Sequence, residues 1–238
     1  MSDMDEIEKF ANETLGGLPE VIKLLGNHNV EMAKEQFREN NSMYLGRTNL
    51  PKKILALTAL SVSLANGQNS SAMIHFKLAT KFGAKFPEIL DSIKTAKMVL
   101  MASTMDVMKD IEPVIAANTK NMAKNGEVKK ILENIKSQSG MDDLPENLVS
   151  LSNVSFDLFQ EHLKEKTELL SPLMVDMKYV YLMAFADSVS IRYKECAKTY
   201  LKQFFKLNGT YPEMEDALFL TRFVTGNKAM TSSISILK

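Results

Sequence analysis

Cysteine is nearly absent: Cys196 is the single thiol in 238 residues, and there is no tryptophan. One thiol excludes an intrachain disulfide and fits a reducing compartment, so a cytoplasmic location is the expectation. Histidine is scarce as well. His28, His75 and His162 lie far apart, none at metal-ligand spacing from another, so neither a metal site nor a cofactor is expected. Excess charge of either sign is missing: 29 Lys and Arg balance 29 Asp and Glu. No field draws the chain to nucleic acid or to an anionic membrane, and neither is an expected partner. No apolar run approaches the roughly 18 residues of a membrane span. The opening MSDMDEIEKF is acidic and lacks the apolar centre of a signal peptide. Strand pairs and hairpin turns are also missing from the pattern.

What is present is ordinary in bulk and unusual in arrangement. The chain is 45% hydrophobic and 24% charged, as in a globular protein able to bury a sizeable core. Residues 18–40, LPEVIKLLGNHNVEMAKEQFREN, lie on residues 144–166, LPENLVSLSNVSFDLFQEHLKEK, with seven of 23 positions identical. One deletion later, residues 51–91 lie on 176–216 with ten of 41 identical, among them Lys53/Lys178, Ala72/Ala197, Lys77/Lys202 and the pair Pro87-Glu88/Pro212-Glu213. Chance gives about one match in sixteen. Ordered identities over two stretches predict an internal duplication, with a first unit over 1–120 and a more diverged second over 121–238.

Each unit reads as helices. PKKILALTALSVSLANG opens on Pro51, suited to a first helical turn, and its apolar residues cover nearly every side, as in a buried helix. SSAMIHFKLATKFG follows, with Gly83 as a C-cap. FPEILDSIKTAKMVLMASTMDVM starts another helix. In the second unit Ser171-Pro172 begins a helix, Gly209 ends one and Pro212 starts the next. Residues 109–140 are polar, join the units and contain a helix. The expected fold is all-α, two similar helical units related by a pseudo-twofold.

The order LPE, long helix, LPKKILALTALSVSLANG, His, FGAKFPEILDSI resembles the carboxymuconolactone decarboxylase/alkylhydroperoxidase D-like family. Residues 18–108 cover the pattern, and the second unit covers it more faintly. The resemblance implies a helical fold, small-molecule chemistry and assembly as trimers of dimers. A fused pair replacing each dimer then gives a homotrimer. It also implies a Glu, a Cys-x-x-Cys and a His four residues beyond the second Cys. In the first unit these positions hold Ala56, Gln68, Ser71 and His75; in the second they hold Tyr181, Tyr193, Cys196 and Tyr200. One Cys and one His survive, in different units. The family's peroxide chemistry needs a low-pKa thiolate and a resolving thiol, which neither unit supplies.

Each surviving residue carries two readings. His75, with Ser71 one helical turn before it and Gln68 one turn earlier, is a general acid or base for a small organic acid or lactone, or a satisfied core histidine. As a site, it is expected to face a pocket between helix 51–65 and helix 71–82, with Gln68 and Ser71 at its mouth. Cys196, between Lys194 and Lys198, is a reactive thiol for residual peroxidase-type activity, or an inert cysteine. Tyr193 and Tyr200 share its helix face and line a cavity or simply pack. The stripe Met98, Met101, Met105 and Met108 is core filler or an adaptable apolar wall. An enzyme with acid/base chemistry, a non-catalytic ligand-binding or assembly scaffold, and a single-thiol antioxidant all remain open at this level.

Overall fold

A computed structural model describes residues 3–119, 126–139 and 144–238. Among them the secondary structure is helical throughout, as the sequence indicates. The helices are α1 (Asp3–Leu15), α2 (Glu20–His28), α3 (Val30–Asn40), α4 (Lys52–Ala65), α5 (Asn69–Lys81), α6 (Phe86–Ser103) and α7 (Met108–Asn118). They continue as α8 (Gly126–Ser139), α9 (Glu146–Val154), α10 (Phe156–Leu169), α11 (Met177–Ser190), α12 (Lys194–Lys206), α13 (Tyr211–Ser232) and α14 (Ile234–Leu237). A π-helical turn, Asn41–Leu45, extends α3, and a 3-10 turn, Thr104–Val107, follows α6. The joining segment expected at 109–140 holds α7 and α8; residues 120–125 and Gly140 lie outside the described residues.

Two compact bodies are present. The first comprises residues 1–96 and 172–238, and the second residues 97–171. The helices aligned by the sequence repeat, α4 and α5 from one half and α11 and α12 from the other, therefore share the first body. Its centre is α4, where Leu55, Ala56, Leu57, Ala59 and Val62 are fully buried, packed on α5, α11 and α13. α11 is equally sealed at Leu182, Met183, Ala184 and Ala186. Helices apolar on all sides need neighbours on all sides, which fixes this pair as the core. In the second body α9 packs on α7 and α10. A cavity of about 260 Å3 there is lined by Met101, Met105 and Met108 together with Leu151 and His162, while Met98 is fully buried in the core. The methionine stripe is thus divided between core filling and an apolar wall.

Backbone detail repeats at the offset of the sequence repeat. Pro19 and Pro145 precede α2 and α9, and Asn29 and Ser155 cap α3 and α10 through their side chains. α4 and α11 each end in a left-handed residue, Gly67 at φ 68° and Arg192 at φ 64°. The next amide closes the turn onto the carbonyl five residues back: Gln68 N–H to Ser63 C=O and Tyr193 N–H to Ser188 C=O. α5 and α12 repeat the device with Gly83 and Asn208, closed by Ala84 and Gly209. Glycine meets this backbone without a Cβ clash, and asparagine tolerates it; Arg192 holds it against its own preference.

Side chains repeat too. Lys53 pairs with Glu88 at 2.7 Å, and Lys178 with Glu213 at 2.8 Å. Asp91 on α6 accepts the N–H groups of Leu173, Met174 and Val175 at 2.7–2.9 Å. Asp216 on α13 accepts those of Asn49 and Leu50 at 2.8 and 3.2 Å, and also the Arg47 guanidinium at 2.6 Å. Each half thus clamps the loop that leads into the other half's central helix. The clamp corrects one expectation. No helix begins at Ser171-Pro172; α11 starts at Met177 with the Asp176 side chain as its cap. Residues 173–175 give their N–H groups to Asp91, so the chain stays open there with its donors satisfied.

Candidate functional site

His75 sits on α5, which begins at Asn69, two residues before Ser71; Gln68 holds the N-cap position without a side-chain cap bond. Its side chain lines a cavity of the first body, but not the one expected between α4 and α5. Those two helices pack directly on each other. No residue of α4 is among its lining residues; beside α5 it is walled by α1 (Ile7, Ala11), α2 (Val21, Ile22) and α13 (Phe223, Met230). It gives water-sized groups about 80 Å3 in which to place their centres, several times the roughly 10–15 Å3 that one water needs. Among the described residues no Lys, Arg, Asp or Glu lines it. Such an apolar cleft with a few converging polar groups is the usual form of a small-molecule site.

Two neighbouring polar residues of its lining carry unsatisfied groups. Tyr44, from the π-helical turn after α3, is 1% exposed, and its hydroxyl has no hydrogen-bond partner among the described residues. His75 is 4% exposed, and its Nδ1 is likewise without a partner. The two rings meet edge to face, with centroids 5.3 Å apart. Leaving a buried polar group unpaired costs about 1–3 kcal/mol. Core positions are normally relieved of that cost, and here two such groups belong to the lining of one cavity. Gln36, Asn227 and Ser71, also in the lining, have partners. Gln36 donates to Asn227 at 2.8 Å, and Ser71 accepts from Ser63 at 3.1 Å.

Burial sets the chemistry of both. It drives the His75 imidazole down to about 3 and pushes the Tyr44 phenol well above its ordinary range. At neutral pH His75 is uncharged and Tyr44 keeps its proton. General acid/base catalysis is most effective when the group titrates near the working pH, and no carboxylate lines the cavity to raise the imidazole. As it stands, the ring is a neutral hydrogen-bonding group.

The remaining sequence candidates fall elsewhere. Ser71 lines the cavity, but among the described residues no hydrogen bond joins it to His75. Gln68 is buried outside the cavity, donating from Nε2 to the Val224 carbonyl at 3.0 Å. Ala56 is fully buried in α4, so the helix carries no proton carrier at the position where the resemblance implies a Glu. Cys196, Tyr193 and Tyr200 belong to the α11–α12 side and do not line the His75 cavity. Cys196 is half-buried and hydrogen-bonded to Tyr200, whose phenol is pushed up first by burial and then by that thiol. Tyr200 packs on Tyr181, with ring centroids 6.2 Å apart. Lys198 spends its charge on Glu195 at 3.0 Å. Among the described residues no group of His, Cys, Asp and Glu could hold a metal ion, and no helix is long and apolar enough to cross a membrane.

Sequence reasoning found His75 and Ser71 but missed Tyr44, Phe223 and Asn227. Tyr44 follows a helix in a π turn, off any regular period, and the other two come from α13, nearly 150 residues along the chain from His75. The one available signal was an aromatic residue in the polar run NSMYLG.

These helices, their order and their caps define an all-α chain with the carboxymuconolactone decarboxylase-like fold. It is similar to a crystal structure from Burkholderia xenovorans, provisionally described as a gamma-carboxymuconolactone decarboxylase subunit, with a TM-score of 0.83. The match covers 100% of this chain and 96% of that one at 15% sequence identity. No family model and no curated protein matches the sequence. The likeness establishes the fold; the chemistry has to be argued from the site.

Proposed function

We propose that the chain is an internally duplicated, diverged member of the carboxymuconolactone decarboxylase/alkylhydroperoxidase D-like family that binds a small organic molecule in the cavity around His75. The fold and the recurring caps and clamps support membership and duplication. One observation carries the binding reading: a cavity without charged lining among the described residues includes two buried residues with unpartnered polar groups, Tyr44 and His75. Saturable shifts of the Ile7, Ile74 and Met230 methyl resonances on adding toluene, abolished in Ala11→Trp, are the expected result. Methyl resonances indifferent to toluene would sink the reading.

Thiol peroxidase chemistry is not part of this proposal. Cys196 has no second thiol in the chain to condense with, and a sulfenic acid without a resolving thiol does not turn over by that route. The expected outcome of a stopped-flow peroxidase assay, with several thiol donors, is a rate indistinguishable from that of Cys196→Ser. Turnover that disappears in the variant would restore the antioxidant reading. For assembly we propose a homotrimer, the fused equivalent of a trimer of dimers. Light scattering should return three times the 26.7 kDa chain mass; a monomer at micromolar concentration rejects it.

A further inference from the structure

We infer that the molecule bound in the His75 cavity is electrically neutral: an apolar body carrying one hydroxyl or carbonyl head, with the head placed at Tyr44 and His75. The inference rests on the binding reading above and narrows it to a ligand class.

Three observations converge. Among the described residues the lining offers no ammonium or guanidinium group, so a carboxylate entering the cavity would shed its water and meet no counter-charge. Burying an unpaired ion is among the most unfavourable steps available to a binding site. The one basic group present, His75, is uncharged at neutral pH because burial opposes its protonation. A ligand anion would have to be paired by forcing a proton onto that ring. Third, the unsatisfied groups have defined hydrogen-bonding character. The Tyr44 hydroxyl is a donor, and Nδ1 of a neutral imidazole is an acceptor or a donor according to tautomer. An alcohol or phenol head meets both, accepting from Tyr44 and donating to Nδ1. A ketone, ester or lactone carbonyl accepts from Tyr44 and, with the proton on Nδ1, from His75 as well. A lactone therefore fits the cavity, whereas the free acid derived from it does not.

The apolar body is accounted for by the apolar residues of the lining. Ile7, Ala11, Val21 and Met230 present only methyl, methylene and thioether groups. Ile7 and Val21 are themselves buried in the cluster that packs α1 on α2 and α3. Bodies of aliphatic or aromatic type suit this lining equally, and methionine adapts its shape to either.

The test compares matched probes in the full-length protein: 4-methylphenol, toluene and 4-methylbenzoate, titrated at pH 7.5 with methyl NMR as the readout. The expected order is 4-methylphenol tightest, toluene weaker, and 4-methylbenzoate weaker than 4-methylphenol by at least about a hundredfold, a difference of two tenfold steps in Kd. Tyr44→Phe should weaken 4-methylphenol by about tenfold and leave toluene unchanged. His75→Leu should do the same, which separates lost head-group recognition from a collapsed cavity. Benzoate binding as tightly as the phenol, with the toluene shifts still present, overturns the neutral-ligand inference and leaves the binding reading standing. Failure of all three probes overturns both.

Discussion

Asp91→Ala lowers the unfolding free energy by about 2–4 kcal/mol, measured by urea titration with an unchanged m-value. The reason is the number of donors that one carboxyl group serves. Its two oxygens accept three consecutive backbone N–H groups, from Leu173, Met174 and Val175, and Asp91 itself is 2% exposed. Each buried donor left without a partner costs about 1–3 kcal/mol. Leu173 and Met174 are exposed, so water relieves some of that loss and the total stays below the simple sum. Asp91→Asn gives a sharper result. Two of the three N–H groups go to Oδ2, so an amide oxygen placed there keeps two bonds and the variant loses less than half as much as alanine. The reciprocal substitution, Asp216→Ala, strands the N–H groups of Asn49 and Leu50 and removes the Arg47 partner that lies deepest. Its loss should exceed that of Asp91→Ala, because breaking a buried ion pair costs about 3–5 kcal/mol. Clamp variants that each cost under about 0.5 kcal/mol, the range of ordinary surface substitutions, would contradict the view that the two halves hold each other's loops.

Acid destabilises this fold through its histidines from about pH 6.5 downward. Two buried histidines are responsible. Burial holds His75 at about 3, and burial followed by Lys166 holds His162 at about 4. In the unfolded chain each titrates near 6.5. Between 6.5 and its folded value, a histidine binds protons in the unfolded state and not in the native one, so stability falls as pH falls. Each contributes about 1.4 kcal/mol per pH unit across that window. Above pH 6.5 the contribution is complete. Asp187 works in the opposite direction. It is fully buried, accepts from Ser61 at 2.6 Å, and burial raises its carboxyl well above the ordinary value. It therefore binds a proton more readily folded than unfolded, and its share of stability is lost as pH rises through its folded value. Subtraction isolates His75. The wild-type and His75→Gln stability curves should converge by about 3 kcal/mol between pH 6.5 and pH 4. Parallel curves over that interval would show that the ring is not sealed.

The fold was legible because its punctuation is chemical and repeated. Pro51 ahead of α4, Gly67 and Gly83 behind α4 and α5, and Pro87 in the first turn of α6 sit where the backbone demands them. The apolar runs of α4 and α11 announce the core by having no polar face. Two kinds of information were not local. The stretch 170–176 read as a helix start from Ser171-Pro172, yet its amides are claimed by Asp91, some 80 residues earlier in the chain. The cavity was expected beside α4 because His75 and Ser71 share a face of α5. Which neighbour that face meets depends on α1, α2 and α13, and no spacing within α5 encodes it. The absent Cys-x-x-Cys and Glu told against redox chemistry from the sequence alone, but the polar group that shares the cavity with His75 became visible only with Tyr44, from the turn after α3.

One measurement reaches the central claim, that His75 is a neutral recognition group in a ligand cavity. It is the 15N NMR titration of the His75 ring, with and without 4-methylphenol. The account predicts a neutral imidazole throughout the range from pH 8 down to about 4, as burial to about 3 requires, and a ring-nitrogen resonance that shifts saturably when the phenol is added at pH 7.5. A ring that titrates near its ordinary 6.5 and takes no notice of the phenol would contradict it.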